Sequence, residues 1–150
     1  SDEEQESVRQ ATRPDVFPGK LDGVESPDLE LATIELPVRD LARAVSWYQR
    51  ALGCHLKWSD ESHALLGASS GVDFLLVCTS EAGQLSFRSS VTGVPHGVVD
   101  FRTSDLEALH AHLRAAGGEV EPLGPPSHDW APRGFAFSDP DGNRFGAFAY

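Results

Sequence analysis

Basic residues are scarce in this sequence: 12 lysines and arginines stand against 23 aspartates and glutamates, for a net charge of -11 over 150 residues. Nucleic acids and anionic membrane surfaces are gripped by basic patches that displace counterions, so neither is expected as a partner, and cationic ligands are favoured instead. Cysteine is scarcer still. Cys54 and Cys78 are too few for a disulfide framework or a cysteine-based zinc site, and they read as two reduced, partly buried thiols. No apolar run approaches the roughly 18 residues of a membrane span, and the first residues lack the basic and apolar regions of a signal peptide; cytoplasmic residence is the expectation. There is also no glycine-rich phosphate loop, no Gly-x-Ser-x-Gly elbow and no Cys and His pair at a recognisable catalytic spacing.

What is present suits a globular interior, since 40% of the residues are hydrophobic. Residues 1–28 are set apart by three prolines, Pro14, Pro18 and Pro27, and by few large apolar side chains, so they cannot form a core. They read as an acidic N-terminal extension, either disordered or packed through Val16, Phe17 and Leu21 on the domain or on a partner subunit. The domain itself is expected over 29–150.

From Leu29 the pattern turns strand-like, with Ile34, Leu36 and Val38 on one face and Thr33, Glu35 and Pro37 on the other. A helix follows, capped by Asp40, carrying Leu41, Val45, Tyr48 and Leu52 at helical spacing, and stopped at Gly53. Strands are expected around His55–Ser59, His63–Ala68 and Val72–Thr79. The β-α-β-β-β order then repeats about 65 residues on, a signal of internal duplication. Gly97, Val99 and Phe101 alternate with His96, Val98 and Asp100. A second helix starts at Ser104 or Asp105 and ends at Gly117 and Gly118, and strands are expected around Glu119–Pro122, Gly134–Ser138 and Arg144–Tyr150. The modules span about 29–90 and 95–150. The fold class is therefore α+β: two βαβββ modules forming a curved, mostly antiparallel sheet, with helices outside and a concave cavity inside.

The face away from the helices carries Thr33, Glu35 and Pro37 in one copy and His96, Val98 and Asp100 in the other. Burying a histidine and two carboxylates in a sheet is costly unless they are paired or functional, which makes this face the candidate site. Trp58, Trp130 and Phe148 add aromatic surface suited to a planar ligand, or else to core or dimer packing. The loop from Pro122 to Gly134, stiffened by prolines and tipped with His128, Asp129, Trp130 and Arg133, has the character of a site cover, although Arg133 suits an ion pair equally well. Asp139-Pro140-Asp141-Gly142-Asn143, between two alternating aromatic runs, reads as a tight hairpin turn.

The two modules, the segment Val38-Arg39-Asp40-Leu41 to Trp47-Tyr48 with Leu52-Gly53, and the closing Asp139-Pro140-Asp141-Gly142-Asn143 together resemble the vicinal oxygen chelate superfamily, which contains glyoxalases, bleomycin-resistance proteins and extradiol dioxygenases. The resemblance covers roughly 29–150. In that family's metalloenzymes, side chains from both modules hold a divalent metal with positions open to substrate oxygens. The corresponding positions here are Thr33, the neighbourhood of Leu75 with Asp73 as its carboxylate, His96 and Gly146. Only His96 is an ordinary ligand, and one imidazole does not hold a catalytic metal.

The resemblance and the residues together imply a metal-independent binding protein without cofactor, resembling the bleomycin-resistance branch. It would sequester a cationic or aromatic small molecule with Glu35, Trp58, His96, Asp100, Trp130 and Phe148, as a homodimer. The alternative is a lyase, isomerase or oxygenase using His96 and Glu35 as an unusual metal site or acid–base pair. Whether the chain is an enzyme stays open at this point.

Overall fold

The computed structural model describes residues 27–69, 71–81, 85–126, 129 and 132–149. Residues 1–26, and with them nearly all of the expected extension, lie outside the described residues, as do His128 and Trp130; residues 27–30 are exposed coil. The rest of the chain builds two modules. The first comprises β1 (Thr33–Val38), α1 (Leu41–Leu52), β2 (His55–Ser59), β3 (His63–Gly67) and β4 (Asp73–Cys78). A short hairpin of β5 (Phe87–Arg88) and β6 (Pro95–His96) follows. The second comprises β7 (Val99–Arg102), α2 (Leu106–Ala116), β8 (Glu119–Val120), β9 (Arg133–Ser138) and β10 (Arg144–Ala149).

Each module makes one four-stranded sheet, ordered β1-β4-β3-β2 in the first and β7-β10-β9-β8 in the second. The edge strand pairs with the last strand in parallel, β1 with β4 and β7 with β10, while the remaining pairs are antiparallel. A parallel pair needs a crossover connection, and the helix supplies it. Local chemistry sets the helix ends. The Asp40 side chain accepts from the Arg43 N–H and that of Asp105 from the Ala108 N–H, both at 3.0 Å, and Gly53 closes α1 in the left-handed conformation.

The face of β1 that packs on the helices holds Ile34, Leu36 and Val38, as its alternation predicts, and the buried pair partners Phe74, Leu76, Ala64 and Leu66 continue that face across β4 and β3. The stripe that α1 buries differs from the expected one. Ala44, Trp47, Tyr48 and Ala51 are buried, whereas Leu41, Val45 and Leu52 sit at its flank. Trp47 takes the centre because its indole N–H donates to Gly117 O at 2.7 Å, joining α1 to the end of α2. Phe74, Phe101, Phe137 and Phe145 meet between the modules, with ring centroids 5.4 to 6.5 Å apart, so the two halves share one core.

A polar seam crosses that core. Asp139 is 3% exposed, and its carboxylate accepts from Tyr48 Oη at 2.7 Å, from Asn143 Nδ2 at 2.8 Å and from the backbone N–H groups of Asp141 and Asn143 at 2.9 Å. Asn143 Nδ2 also donates to Pro37 O, and the Arg39 N–H and Arg43 Nη2 both donate to Asp141 Oδ1. The closing hairpin is thereby locked to the end of β1 and to α1. Burial pushes the Tyr48 phenol up, with the neighbouring Asp139 carboxylate acting in the same direction, so it remains a donor.

Two expected features are corrected. His96 does not open the first strand of the second sheet: it belongs to the β5–β6 hairpin, opposite Phe87, because β7 begins only at Val99. The strand expected to reach Pro122 stops at Val120, although the Glu121 N–H still donates to Ala136 O.

Removing one donor from a buried carboxylate that keeps three others costs less than removing the carboxylate. Tyr48→Phe is expected to lower unfolding free energy by about 1–2 kcal/mol, and Asp139→Ala, which orphans several donors at once, by about 3 kcal/mol or more. Urea midpoints for the two variants check the order.

Candidate functional site

Both sheets give one face to the shared core and leave the other open. On the first sheet the register sets Glu35, Leu75, Leu65 and Trp58 in one row across four strands. Glu35 is exposed and Trp58 is 51% exposed, tilted against the His63 ring at 6.4 Å. Beside the row, Lys57 Nζ forms a salt bridge to both oxygens of Asp73 at 3.0 Å. The expectation that this face is buried in the chain is therefore corrected for Glu35 and Asp100: the core uses the other side of each sheet, so these carboxylates keep water.

On the second sheet, Asp100 pairs with Gly146 and Arg102 with Phe148. Gly146 pairs in turn with Ala136, and Phe148 with Gly134. A Cβ at Gly146 would overlap Asp100 Oδ1 and the Phe148 ring, and one at Gly134 would overlap the same ring and Ala147 O. The two glycines thus form a floor of bare backbone on which the Phe148 ring and the Asp100 carboxylate lie side by side. Glycine inside a strand often marks such a close approach. This floor is the part of the site that the sequence reading missed; Gly134 and Gly146 inside strands were its signal.

His96 joins this group from the hairpin. Its ring stacks on Phe87, with centroids 5.3 Å apart and planes at 15°, and it lies near enough to Asp100 to act on that carboxyl's charge. Partial loss of water pushes the Asp100 carboxyl above the usual range, and His96 pulls it back. The structure therefore sets Asp100 beside Phe148, with His96 near enough to act on the Asp100 charge, whereas Glu35 and Trp58 share a face but lie on the opposite edge strands of the first sheet. Trp130 lies outside the described residues. Arg133 is an ion-pair partner, its Nη1 lying 2.5 Å from Glu107 Oε1. His110 and His112 each direct Nε2 at a backbone carbonyl, of Glu121 and Arg50 respectively.

The donor set does not fit a divalent metal of the kind the family's enzymes hold. Thr33 lies seven residues before the helix cap Asp40, and the matching position before Asp105 is Val98, with His96 two residues earlier and outside the sheet. Gly146 offers no side chain, and Asp100 fills the space above it. Among the described residues no group of three His, Cys, Asp or Glu side chains converges as a ligand set.

Two hollows border these elements. One, of about 470 Å³, adjoins the closing hairpin and is lined by Arg39, Glu119, Asp139, Asp141 and Arg144. The other, of about 670 Å³, opens along β7 between the modules. None of the described helices is long and apolar enough to cross a membrane.

Residues 30–146 match the family model of the Glyoxalase/Bleomycin resistance protein/Dioxygenase superfamily. Among solved structures, the chain is similar to TnmS3, an antibiotic binding protein from Streptomyces sp. CB03234, with 21% identity over 83% of this chain and 98% of that one and a TM-score of 0.64. It is also similar to the fosfomycin resistance protein FosX from Listeria monocytogenes, with 16% identity over 84% and 95% of the two chains and a TM-score of 0.64. A third is the integron cassette protein VCH_CASS1 from the mobile metagenome of V. Cholerae, with 20% identity over 85% and 99% and a TM-score of 0.59. At these identities the likeness is one of fold. No curated protein matches the sequence.

The two floor glycines differ in what opposes a side chain. Gly146→Ala meets only the ends of Asp100 and Phe148, which can turn aside, whereas Gly134→Ala also meets the backbone oxygen of Ala147. Gly134→Ala is expected to cost about 1–3 kcal/mol and Gly146→Ala less than about 1 kcal/mol, measured by urea unfolding.

Proposed function

Since the chain belongs to the Glyoxalase/Bleomycin resistance protein/Dioxygenase superfamily, we propose that it is a small-molecule binding protein that sequesters a cationic or aromatic organic ligand without a metal. The observation that carries this reading is the Phe148 ring and Asp100 carboxylate lying together on the Gly134 and Gly146 floor. An aromatic face beside a partly desolvated carboxylate is suited to a planar cation: the ring stacks on it and the carboxylate neutralises it. His96 completes the rim as a hydrogen-bonding group. The net charge of -11 favours capture of a cation from solution.

Glu35 and Trp58 form the second half of the proposed site, on the open face of the first sheet. Leu56, Trp58, Phe87, Val94 and Val98 are all more than 40% exposed, a large apolar surface for one chain. We infer a cytoplasmic homodimer in which a second copy covers these open faces and encloses the ligand. The enzymatic alternative, pairing His96 with Glu35, finds less support, because the two side chains sit in different sheets and no third ligand joins them among the described residues.

The test uses ethidium, a planar aromatic cation, with protein dialysed exhaustively against EDTA. Saturable binding by fluorescence, weakened about tenfold in both Phe148→Ala and Asp100→Asn, is the expected result. Loss of binding on chelation with recovery on adding Mn²⁺ or Zn²⁺ would sink the metal-free reading. The pH dependence has a definite sign. Protonation of Asp100 removes the ligand's counter-charge, so affinity falls as pH drops. Because the Asp100 carboxyl is pushed up, that fall begins above the ordinary carboxylate range, and Asp100→Asn should remove it.

A further inference from the structure

The turns that join the last two strands of the modules share a closing hydrogen bond and a left-handed glycine. Gly142 donates its N–H to Asp139 O at 3.0 Å with φ +87°, and Gly71 donates to Ala68 O at 3.2 Å with φ +88°. Their side chains differ. In the second module Asp139 accepts across the seam from Tyr48, the eighth residue after the α1 cap, while Asn143 donates to Asp139 and to Pro37 O, and together they fill it with hydrogen bonds. In the first module the same turn positions hold Ala68 and Val72, and the eighth residue after the α2 cap is Leu113. One seam is plugged by a polar network, and its counterpart has nothing long enough to plug it.

The 670 Å³ cleft lies at that counterpart. Ala68 and Val72 form one wall, Val99 and Phe101 of β7 with Leu109 of α2 form the other, and the buried rings of Phe74 and Phe137 lie between. Cys54 also lines it, its thiol pushed up to about 11 by burial and so uncharged at neutral pH. The cleft's polar lining is Ser69, Asp100, Arg102 and Thr103, the last three along one side at β7, and the rest of the lining is apolar. The volume falls in the range of small-molecule pockets.

We propose that this unplugged seam is a second binding site, separate from the open-face group, that takes a compact uncharged aromatic molecule of two or three rings. Its walls stack and exclude water, and the edge strand β7 runs along it, with Val98, Asp100 and Arg102 lining it as well as Val99 and Phe101, so that Asp100 borders both sites. The proposal does not depend on the reading of the open face.

The probe is N-phenyl-1-naphthylamine, a neutral aromatic fluorophore, titrated into the full chain. Saturable, one-to-one binding is expected in the wild type. It should weaken at least tenfold in Val72→Phe and in Leu109→Trp, each filling the cleft from a different wall, with circular dichroism confirming that each variant folds. Phe148→Ala should bind this probe within twofold of the wild type, and Val72→Phe should bind ethidium as the wild type does. The proposal is overturned if the probe shows no saturation, if a folded filling variant binds it unchanged, or if Phe148→Ala abolishes binding, which would move the probe to the open face. It is also overturned if affinity falls as the chain self-associates in sedimentation, since a second copy would then occupy the cleft.

Discussion

The Asp139 carboxylate holds this molecule together in a sense that no single apolar contact does. It sits in the last hairpin, and it accepts from a phenol 91 positions earlier in the chain. A buried carboxylate is costly by itself, and here four donors meet it, so the geometry that satisfies it is narrowly defined. Losing that geometry would leave the carboxylate or its donors unpaired, which couples the placement of the closing hairpin to that of α1. The second-sheet part of the proposed site hangs from that hairpin, because β10 carries Gly146 and Phe148 and pairs with the strand that carries Asp100.

Local signals were the legible part of the sequence. The caps at Asp40 and Asp105, the glycine stops and the alternation of Ile34, Leu36 and Val38 depend on neighbours in the chain, and the structure has them where expected. The Asp139 to Asn143 turn was legible as a turn but not as an anchor, because its partner Tyr48 reads as one more apolar face of a helix. The α1 stripe was misplaced for a related reason: Trp47 is drawn inward by a hydrogen bond to Gly117, a contact that helical spacing cannot show. His96 was assigned to the wrong element because Phe87, its pairing partner, lies in a stretch with little strand character of its own.

The candidate site was half legible. Alternation assigned Glu35 and Asp100 to the faces away from the helices. It did not say that those faces lack a covering layer within one chain, since burial depends on which elements stack rather than on the strand pattern. The duplication itself was clear from order and spacing. Its asymmetry was less so: two turns with the same closing hydrogen bond differ by polar for apolar side chains, and only the packed structure shows that the difference closes one seam and leaves the other open.

The glycine floor has a consequence for how this surface can change. Backbone supplies its shape, so in the proposed site the distinguishing chemistry rests with two side chains that lie on it without being wedged into the core. Exchanging Asp100 or Phe148 for residues of another charge or size would rewrite the chemistry presented to a ligand and leave the hydrogen-bonded strands beneath undisturbed. A scaffold of this kind can drift from one ligand to another by single substitutions, each neutral for folding.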